Sequence, residues 1–239
     1  MRLPGPLTLI PIEGIPEVTA GDVLAELIVA SAREQGTPCE DGDCIVVTQK
    51  VVSKVEGRVV ELDPTDLAAR RRLVEAESVR VVRRRGDLLI TETPHGFVCA
   101  NAGVDLSNVE AGTAALLPVD ADRSAKRVRD GIRAHAGVEV AVIVTDTFGR
   151  AWRIGLTDVA IGVSGIAAVV DLRGQSDALG RELLVSEVAI ADEVASAAEL
   201  VMGKAAGVPV AIARGLDPSF FRESSVRELV RPPAEDLFR

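Results

Sequence analysis

The chain has 239 residues, 47% of them apolar, and carries a formal net charge of −9; its sequence pI is near 4.9. That length and apolar content suffice for a substantial core. The acidic balance excludes a nucleic-acid binder that works by bulk electrostatics, because such proteins neutralise phosphates with an excess of Lys and Arg. Cys39, Cys44 and Cys99 fit no metal-ligand spacing and cannot all pair, so they read as reduced, partly buried thiols of a cytoplasmic protein. No run of about 18 apolar residues could cross a bilayer, and the N-terminus lacks the basic-then-apolar order of an export signal.

In chain order, Asp22–Gln35 has helical apolar periodicity and stops at Gly36. Asp41, Gly42 and Asp43 form a turn into the strand-like run Cys44–Val47. The segment 66–85 is charged and helix-like, with triple-arginine runs at Arg70–Arg72 and Arg83–Arg85, and reads as a solvated face with Glu75 and Glu77 as partners. A short helix is predicted over 124–136, capped by Asp122 or Ser124 and ended by Gly137; it feeds the buried strand that starts at Val138. Ile190–Met202 places Ile190, Val194, Ala197 and Val201 on one face with Gly203 as the stop, and a further strand follows over 209–213. The tail from Asp217, with Phe220, Phe221, Pro232, Pro233 and Phe238, either docks on a neighbour or frays. The alternation of strand and helix signals gives an α/β protein.

The commonest chemistry-bearing motifs are missing. There is no G-x-x-x-x-G-K-[ST] loop, and Gly162, Val163, Ser164 and Gly165 match neither a dinucleotide fingerprint nor a nucleophile elbow. With only His95 and His135, no Tyr and scattered cysteines, zinc or Cys/His nucleophilic chemistry is also disfavoured. Oxygen ligands, by contrast, are concentrated in two places. One is Asn101–Asn108, which gathers Asp105, two amides and a hydroxyl around Gly103. The other is Thr145–Arg150, a carboxylate, two hydroxyls and a guanidinium at the carboxyl end of an apolar strand, where open α/β sheets bind ligands. Asp105 and Asp146 would suffice for Mg²⁺ or Mn²⁺, with Lys54 and Arg150 neutralising phosphate oxygens. An Asx-rich turn for the first segment and a helix N-cap at Asp146 are the structural alternatives.

These blocks resemble a known family. Ile12–Pro16, Val51–Arg58, Asn101–Val109, Thr145–Arg150, Gly180–Leu183, Ala191–Glu193 and the pair Met202–Gly203 stand in the order and spacing of coenzyme F-420-0:γ-glutamyl ligases. The resemblance spans nearly the whole chain.

It implies a GTP-dependent amide ligase that phosphorylates the terminal carboxylate of the F-420-0 precursor and lets the amine of L-glutamate attack the acyl phosphate. Asp146 and Arg150 then belong to the reacting centre. Asp105, Asp146 and Thr147 become ligands of Mg²⁺ or Mn²⁺, with Gly203 offering its carbonyl to a second metal; K⁺ is a further cation. Ile15, Pro16, Glu17, Val18, Lys54 and Asn108 line the nucleotide pocket, together with Met202, Gly203, Lys204, Ala205, Ala206, Gly207 and Val208. Gln49 and Lys50 stand where relatives have a serine-containing pair beside the nucleotide. The implied fold is α/β (α+β), with mixed sheets and flanking helices in a two-domain subunit of an intertwined homodimer. Residues 1–239 read as a single ligase module without the C-terminal flavin-binding domain that some relatives carry, and with no nucleic-acid or membrane partner. The rival readings are a non-catalytic nucleotide or metal sensor, favoured by Gln49, and a metal-dependent phosphohydrolase, which would need a second acidic cluster.

Overall fold

A computed structural model of the chain describes residues 5–237. Strand β1 (Thr8–Pro11) leads to helix α1 (Leu24–Glu34), which buries Leu24, Ala25, Ile28, Val29 and Ala32 along one stripe. Gly36 follows at φ +80°, a backbone turn that an L side chain resists. Strand β2 (Cys44–Thr48) is fully apolar over its first four residues, as a strand covered on both faces should be, and helix α2 (Gln49–Val55) starts at the next residue without a loop.

The chain then builds a smaller unit before it returns to the main sheet. Its elements are β3 (Val59–Glu61), α3 (Leu67–Ala76), β4 (Arg80–Arg85), β5 (Leu88–Glu92), β6 (Val98–Ala100) and β7 (Thr113–Ala115). β3 pairs with β7, and β4, β5 and β6 form a separate antiparallel sheet. Leu62, Val74, Leu89, Ala102, Val104, Ala114 and Leu116 make their common core. The expected helix-like segment 66–85 is therefore only half right: the helix ends at Ala76, and the second arginine run is strand β4. Local chemistry explains the switch. Val79, Val81 and Val82 favour extended backbone, and the two residues Gly86 and Asp87, with Gly86 at φ +59°, close a tight hairpin into β5. The arginines face water and pair with carboxylates, Arg84 with Glu75 and Arg71 with Asp87.

Helix α4 (Ala121–Ala136) brings the chain back, followed by β8 (Ala141–Arg150), β9 (Arg153–Ser164), the short pair β10 (Val170–Asp171) and β11 (Glu187–Val188), helix α5 (Ile190–Met202) and β12 (Val210–Arg214). The cap of α4 is Asp120, which accepts the Arg123 amide, and not Asp122 or Ser124 as the sequence suggested. Asp122 is drawn away because its carboxylate accepts the Val163 amide and the Ser225 hydroxyl. Gly137 ends α4 in the left-handed region, at φ +73°.

The main sheet has the order β1-β12-β2-β8-β9, in which only β2 and β8 run parallel. The period of two sorts its side chains. Ile45, Val47, Val142, Val144 and Ile212 join the core beneath α1 and α4, whereas Cys44, Val46, Ala141, Ile143 and Ala211 meet Ile190, Val194 and Ala198 of α5. Each fully buried aliphatic side chain here contributes about 1.5–3 kcal/mol. The three cysteines are buried free thiols; burial pushes Cys39 up to about 11 and, with the Asp146 charge adding, Cys99 up to about 12. The first part of the tail docks on its own chain: Phe220 and Phe221 pack on the α5 side of the sheet, and the Ser224 hydroxyl donates to the Ile166 carbonyl. Phe238 lies outside the described residues. No helix among the described residues is long and apolar enough to cross a membrane.

Candidate functional site

The sequence places Thr145–Arg150 at the carboxyl end of a strand, and there the structure has it, as the second half of β8. β8 runs through the whole cluster because β9 pairs with it residue for residue, Thr147 opposite Asp158 and Asp146 opposite Val159. A bulge between Val144 and Thr145 marks where the apolar half of the strand gives way to the polar half. Asp146 is thus not a helix cap. Strand alternation turns Thr145 and Thr147 to one face, where both hydroxyls donate to the buried Asp158 carboxylate, Thr147 Oγ1 to Oδ1 at 2.7 Å and Thr145 Oγ1 to Oδ2 at 3.2 Å. Phe148, two residues from Asp146 on the same strand face, packs into the opposite core and meets the ring of Phe97 edge-on.

Asp146 is 9% exposed, and burial pushes its carboxyl up to about 7. The Thr147 amide, 2.9 Å from Oδ1, and the Lys50 ammonium pull it down, while the charges of Asp105 and Asp158 push it further up. Burial is the dominant cause of the rise, and Asp105 and Asp158 add to it.

Asp105 arrives from the smaller unit. Asn101 and Ala102 take left-handed backbone at φ 51° and 54°, and the Asn101 side-chain carbonyl accepts the Leu89 amide to fix the turn. Gly103 follows at φ +71°, with Leu117 filling the space a Cβ would need. The backbone of Asp105 then bridges to Ala115 by two hydrogen bonds of 3.0 and 2.8 Å. An Asx turn is present, since Asp105 Oδ1 accepts the Ser107 amide at 2.7 Å; the other oxygen, Oδ2, is 2.8 Å from Lys50 Nζ. Burial pushes the Asp105 carboxyl up, but Lys50 and Ser107 together outweigh it and hold the group below the ordinary carboxylate value.

A cleft of about 840 Å³ opens beside these groups. Ile15, Pro16, Glu17, Val18, Lys50, Lys54, Asn108, Thr147, Met202, Gly203, Lys204, Gly207 and Val208 all line it, so segments far apart in sequence converge. The Asn108 side-chain amide donates to the Lys204 carbonyl at 3.3 Å, joining the Asp105 segment to the loop after α5, and Lys54 pairs with Glu17 at the rim. Asp105 and Asp146 are not among the lining residues. Gln49 faces inward: fully buried, it donates to the Ser53 hydroxyl at 2.6 Å and the Leu116 carbonyl at 2.8 Å. Arg150 lies at the β8–β9 hairpin, donating to the Ile154 carbonyl at 2.7 Å, and neither it nor Ala205 or Ala206 lines the cleft.

Among the lining residues that escaped the sequence reading are the acids Glu110, Asp158 and Glu199. Burial raises the Glu199 carboxyl, with Asp158 adding and Lys204 and Lys50 opposing. A signal was available. Asp192, Ser196 and Glu199 recur at helical spacing on the largely apolar α5, and this polar stripe faces β9: Asp192 accepts the Ala160 amide at 2.8 Å and Ser196 donates to the Asp158 carbonyl at 2.7 Å. Among the described residues no three Asp, Glu, His or Cys side chains could enclose a metal by themselves.

Comparison with known proteins converges on one group. The family described as F420-0:gamma-glutamyl ligase matches residues 14–215. Proteins named coenzyme F420:L-glutamate ligase are similar over almost the full length of both chains. The one from Methanothermobacter thermautotrophicus is 43% identical, covering 98% of this chain and 99% of its own. The one from Methanopyrus kandleri is 44% identical, covering 98% and 100%. The one from Archaeoglobus fulgidus is 40% identical, covering 96% and 95%.

Proposed function

The chain belongs to the F420-0:gamma-glutamyl ligase family, and from that premise we propose that it joins L-glutamate to the F-420-0 precursor at the expense of GTP in coenzyme F-420 biosynthesis. The acceptor carboxylate oxygen attacks the γ-phosphorus and releases GDP; the glutamate amine then attacks the acyl carbon, expelling phosphate and losing a proton as the amide forms. The observation that carries this reading is the convergence of Asn108, Thr147, Met202, Gly203, Gly207 and Val208 on one cleft that Lys50, Lys54 and Lys204 also line, with Asp105 held by Lys50 beside it.

The donor set suits a hard divalent cation. Mg²⁺ and Mn²⁺ take carboxylate, hydroxyl and carbonyl oxygens, often only one or two carboxylates plus substrate phosphates, and burial, with Asp105 and Asp158 adding, lifts the Asp146 carboxyl that such a cation would ionise. Asp105, Asp146 and Thr147 would hold the ion, Gly203 would offer its carbonyl to a second divalent ion, and K⁺ is a further cation of the proposal. When bound, the divalent ion would supply charge neutralisation to the transferring phosphoryl group. The chain's own residues do the rest. Lys54 and Lys204 offer ammonium groups to phosphate oxygens, Asn108 locks the two loops that face the nucleotide, and Asp158 orients the Thr147 hydroxyl. Ile15–Val18 supplies the opposite wall of the cleft.

Purified protein given GTP, Mn²⁺ or Mg²⁺, L-glutamate and F-420-0 should release GDP only when acceptor and glutamate are both present. Asp158 and Glu199 add two carboxylates to the cleft wall, and acceptor-independent GDP release would favour a metal-dependent phosphohydrolase and sink the ligase. The sensor alternative drew on Gln49, a residue now seen to tie α2 to Leu116 inside the protein.

A further inference from the structure

Lys50 occupies an unusual position for a lysine in a nucleotide cleft. It sits in the first turn of α2, which follows β2 without a loop, so the main sheet fixes its backbone. Gln49 and Ser53 pin the same helix to the Leu116 carbonyl of the smaller unit. The side chain is 12% exposed, its ammonium is 2.8 Å from Asp105 Oδ2, and its charge also reaches Asp146 and Glu199. One cation therefore serves three carboxylates, two of which the family resemblance gives to a metal. Lys54 is different: its partner is Glu17, an exposed rim carboxylate outside this cluster.

We propose that Lys50 is a resident counter-ion that couples cation and nucleotide binding: its ammonium holds Asp105 until a divalent cation takes that carboxylate, and then turns to the phosphates entering the cleft. The inference rests on the metal- and nucleotide-binding reading above. Two cationic centres cannot share Asp105 at close range in a half-buried site without strong repulsion. The four-carbon stem lets the ammonium swing without backbone movement, and Lys50 already lines the cleft where the anion would arrive. Linkage then follows. A cation bound alone leaves Lys50 without its partner, and a nucleotide bound alone finds Lys50 engaged, so each ligand removes the penalty that the other meets, by the same factor.

The test is Mn²⁺ binding, read by the electron paramagnetic resonance of the free ion with and without GDP. Lys50→Met should bind Mn²⁺ at least about fivefold more tightly than the parent when no nucleotide is present, and the factor by which GDP tightens Mn²⁺ should shrink toward one; Lys50→Arg should keep most of the coupling. Unchanged or weaker Mn²⁺ binding by a folded Lys50→Met, or undiminished coupling, overturns the proposal. Should that variant fail to fold, amine-selective labelling of the parent protein decides: Lys50 should gain reactivity with Mn²⁺ alone and lose it again with Mn²⁺ and GDP, and a constant reactivity overturns the idea. A protein that shows the coupling yet releases no GDP with acceptor and glutamate breaks the ligation reading and spares this one. One that ligates with Mn²⁺ affinity unaffected by Lys50→Met does the reverse, and no Mn²⁺ binding at all overturns both.

Discussion

Asp146 and Asp105 serve one cleft from two different cores, and they are held in opposite ways. Asp146 rides on β8, the inner strand of a five-stranded sheet, where burial lifts its carboxyl to about 7. Asp105 stands in a turn of the smaller unit, half-buried, with Lys50 and Ser107 holding its carboxyl down. The larger core supplies rigidity at the cost of a strained charge; the smaller one supplies a charge that is already compensated. A site built this way needs both packing systems intact but depends on them differently, and substitutions can separate the two.

The largest effect belongs to Asp146→Asn, which should lower GTP-driven ligation at least about a hundredfold through loss of cation binding, measured as GDP release with acceptor and glutamate present. Its effect on stability has the opposite sign. Because the folded carboxyl titrates near 7, above its unfolded value of 3.8, the native state keeps a proton that the unfolded chain has lost. In metal-free protein this contribution is fully present below the unfolded value and disappears as pH rises through about 7, a change of roughly 4 kcal/mol at most. Asp146→Asn should flatten that slope in thermal melts from pH 4 to pH 8; an unchanged slope would show that Asp146 is ionised throughout.

Next come two glycines, one in each packing system. A Cβ at Gly162 would come within 2.4 Å of the Ala121 backbone, where α4 lies against β9, and backbone cannot step aside cheaply. Gly162→Ala should cost about 3 kcal/mol or more. At Gly103 the obstacle is the Leu117 side chain at 2.7–2.9 Å, and φ is +71°; Gly103→Ala should cost about 1–3 kcal/mol and weaken cation binding by shifting Asp105. Urea melts and Mn²⁺ titrations of the two variants check the comparison, and it fails if Gly103→Ala proves the more damaging to the global fold. Smaller still is Asp158→Ala, which removes the acceptor that orients the Thr147 hydroxyl and should weaken Mn²⁺ binding about 10–100-fold. In a Thr147→Val background the same change should cost little, if Asp158 acts through that hydroxyl.

How much of this was legible in the sequence follows from the range of the forces involved. Helices α1 and α5 stand where apolar periodicity places them, because Gly36 and Gly203 stop them by backbone conformation, a local effect. The Asp120 cap was missed because Asp122 looks equally good until Val163 and Ser225, both distant in sequence, claim it. The charged stretch 66–85 misled because the arginines of β4 face water, where strand and helix tolerate them alike. In the site, the carboxylate, hydroxyl and amide types pointed to oxygen chemistry, yet the strand register decides which of them meet. Nothing local to Thr147 reveals that Asp158 lies opposite it. Arg150 sits on the same strand, yet its guanidinium is engaged with the Ile154 carbonyl of the hairpin.

The parallel pairing of β2 with β8 sets Thr48 beside Thr145, although the whole smaller unit lies between them in the chain. Joining two such distant strands is entropically slow for a flexible chain. Here the intervening stretch can condense on its own hairpins β4–β5 and β5–β6, which need only near neighbours, and so shorten the effective loop before the two strands meet. The order in which backbone amides gain protection during refolding reads this directly: Leu88–Glu92 first, Cys44–Thr48 afterwards. A reversed order would mean that the parallel pair forms without help from the insert. With the expected order, the insertion that carries Asp105 would also set the sequence of assembly, and the cleft would be completed only when the parallel pair closes.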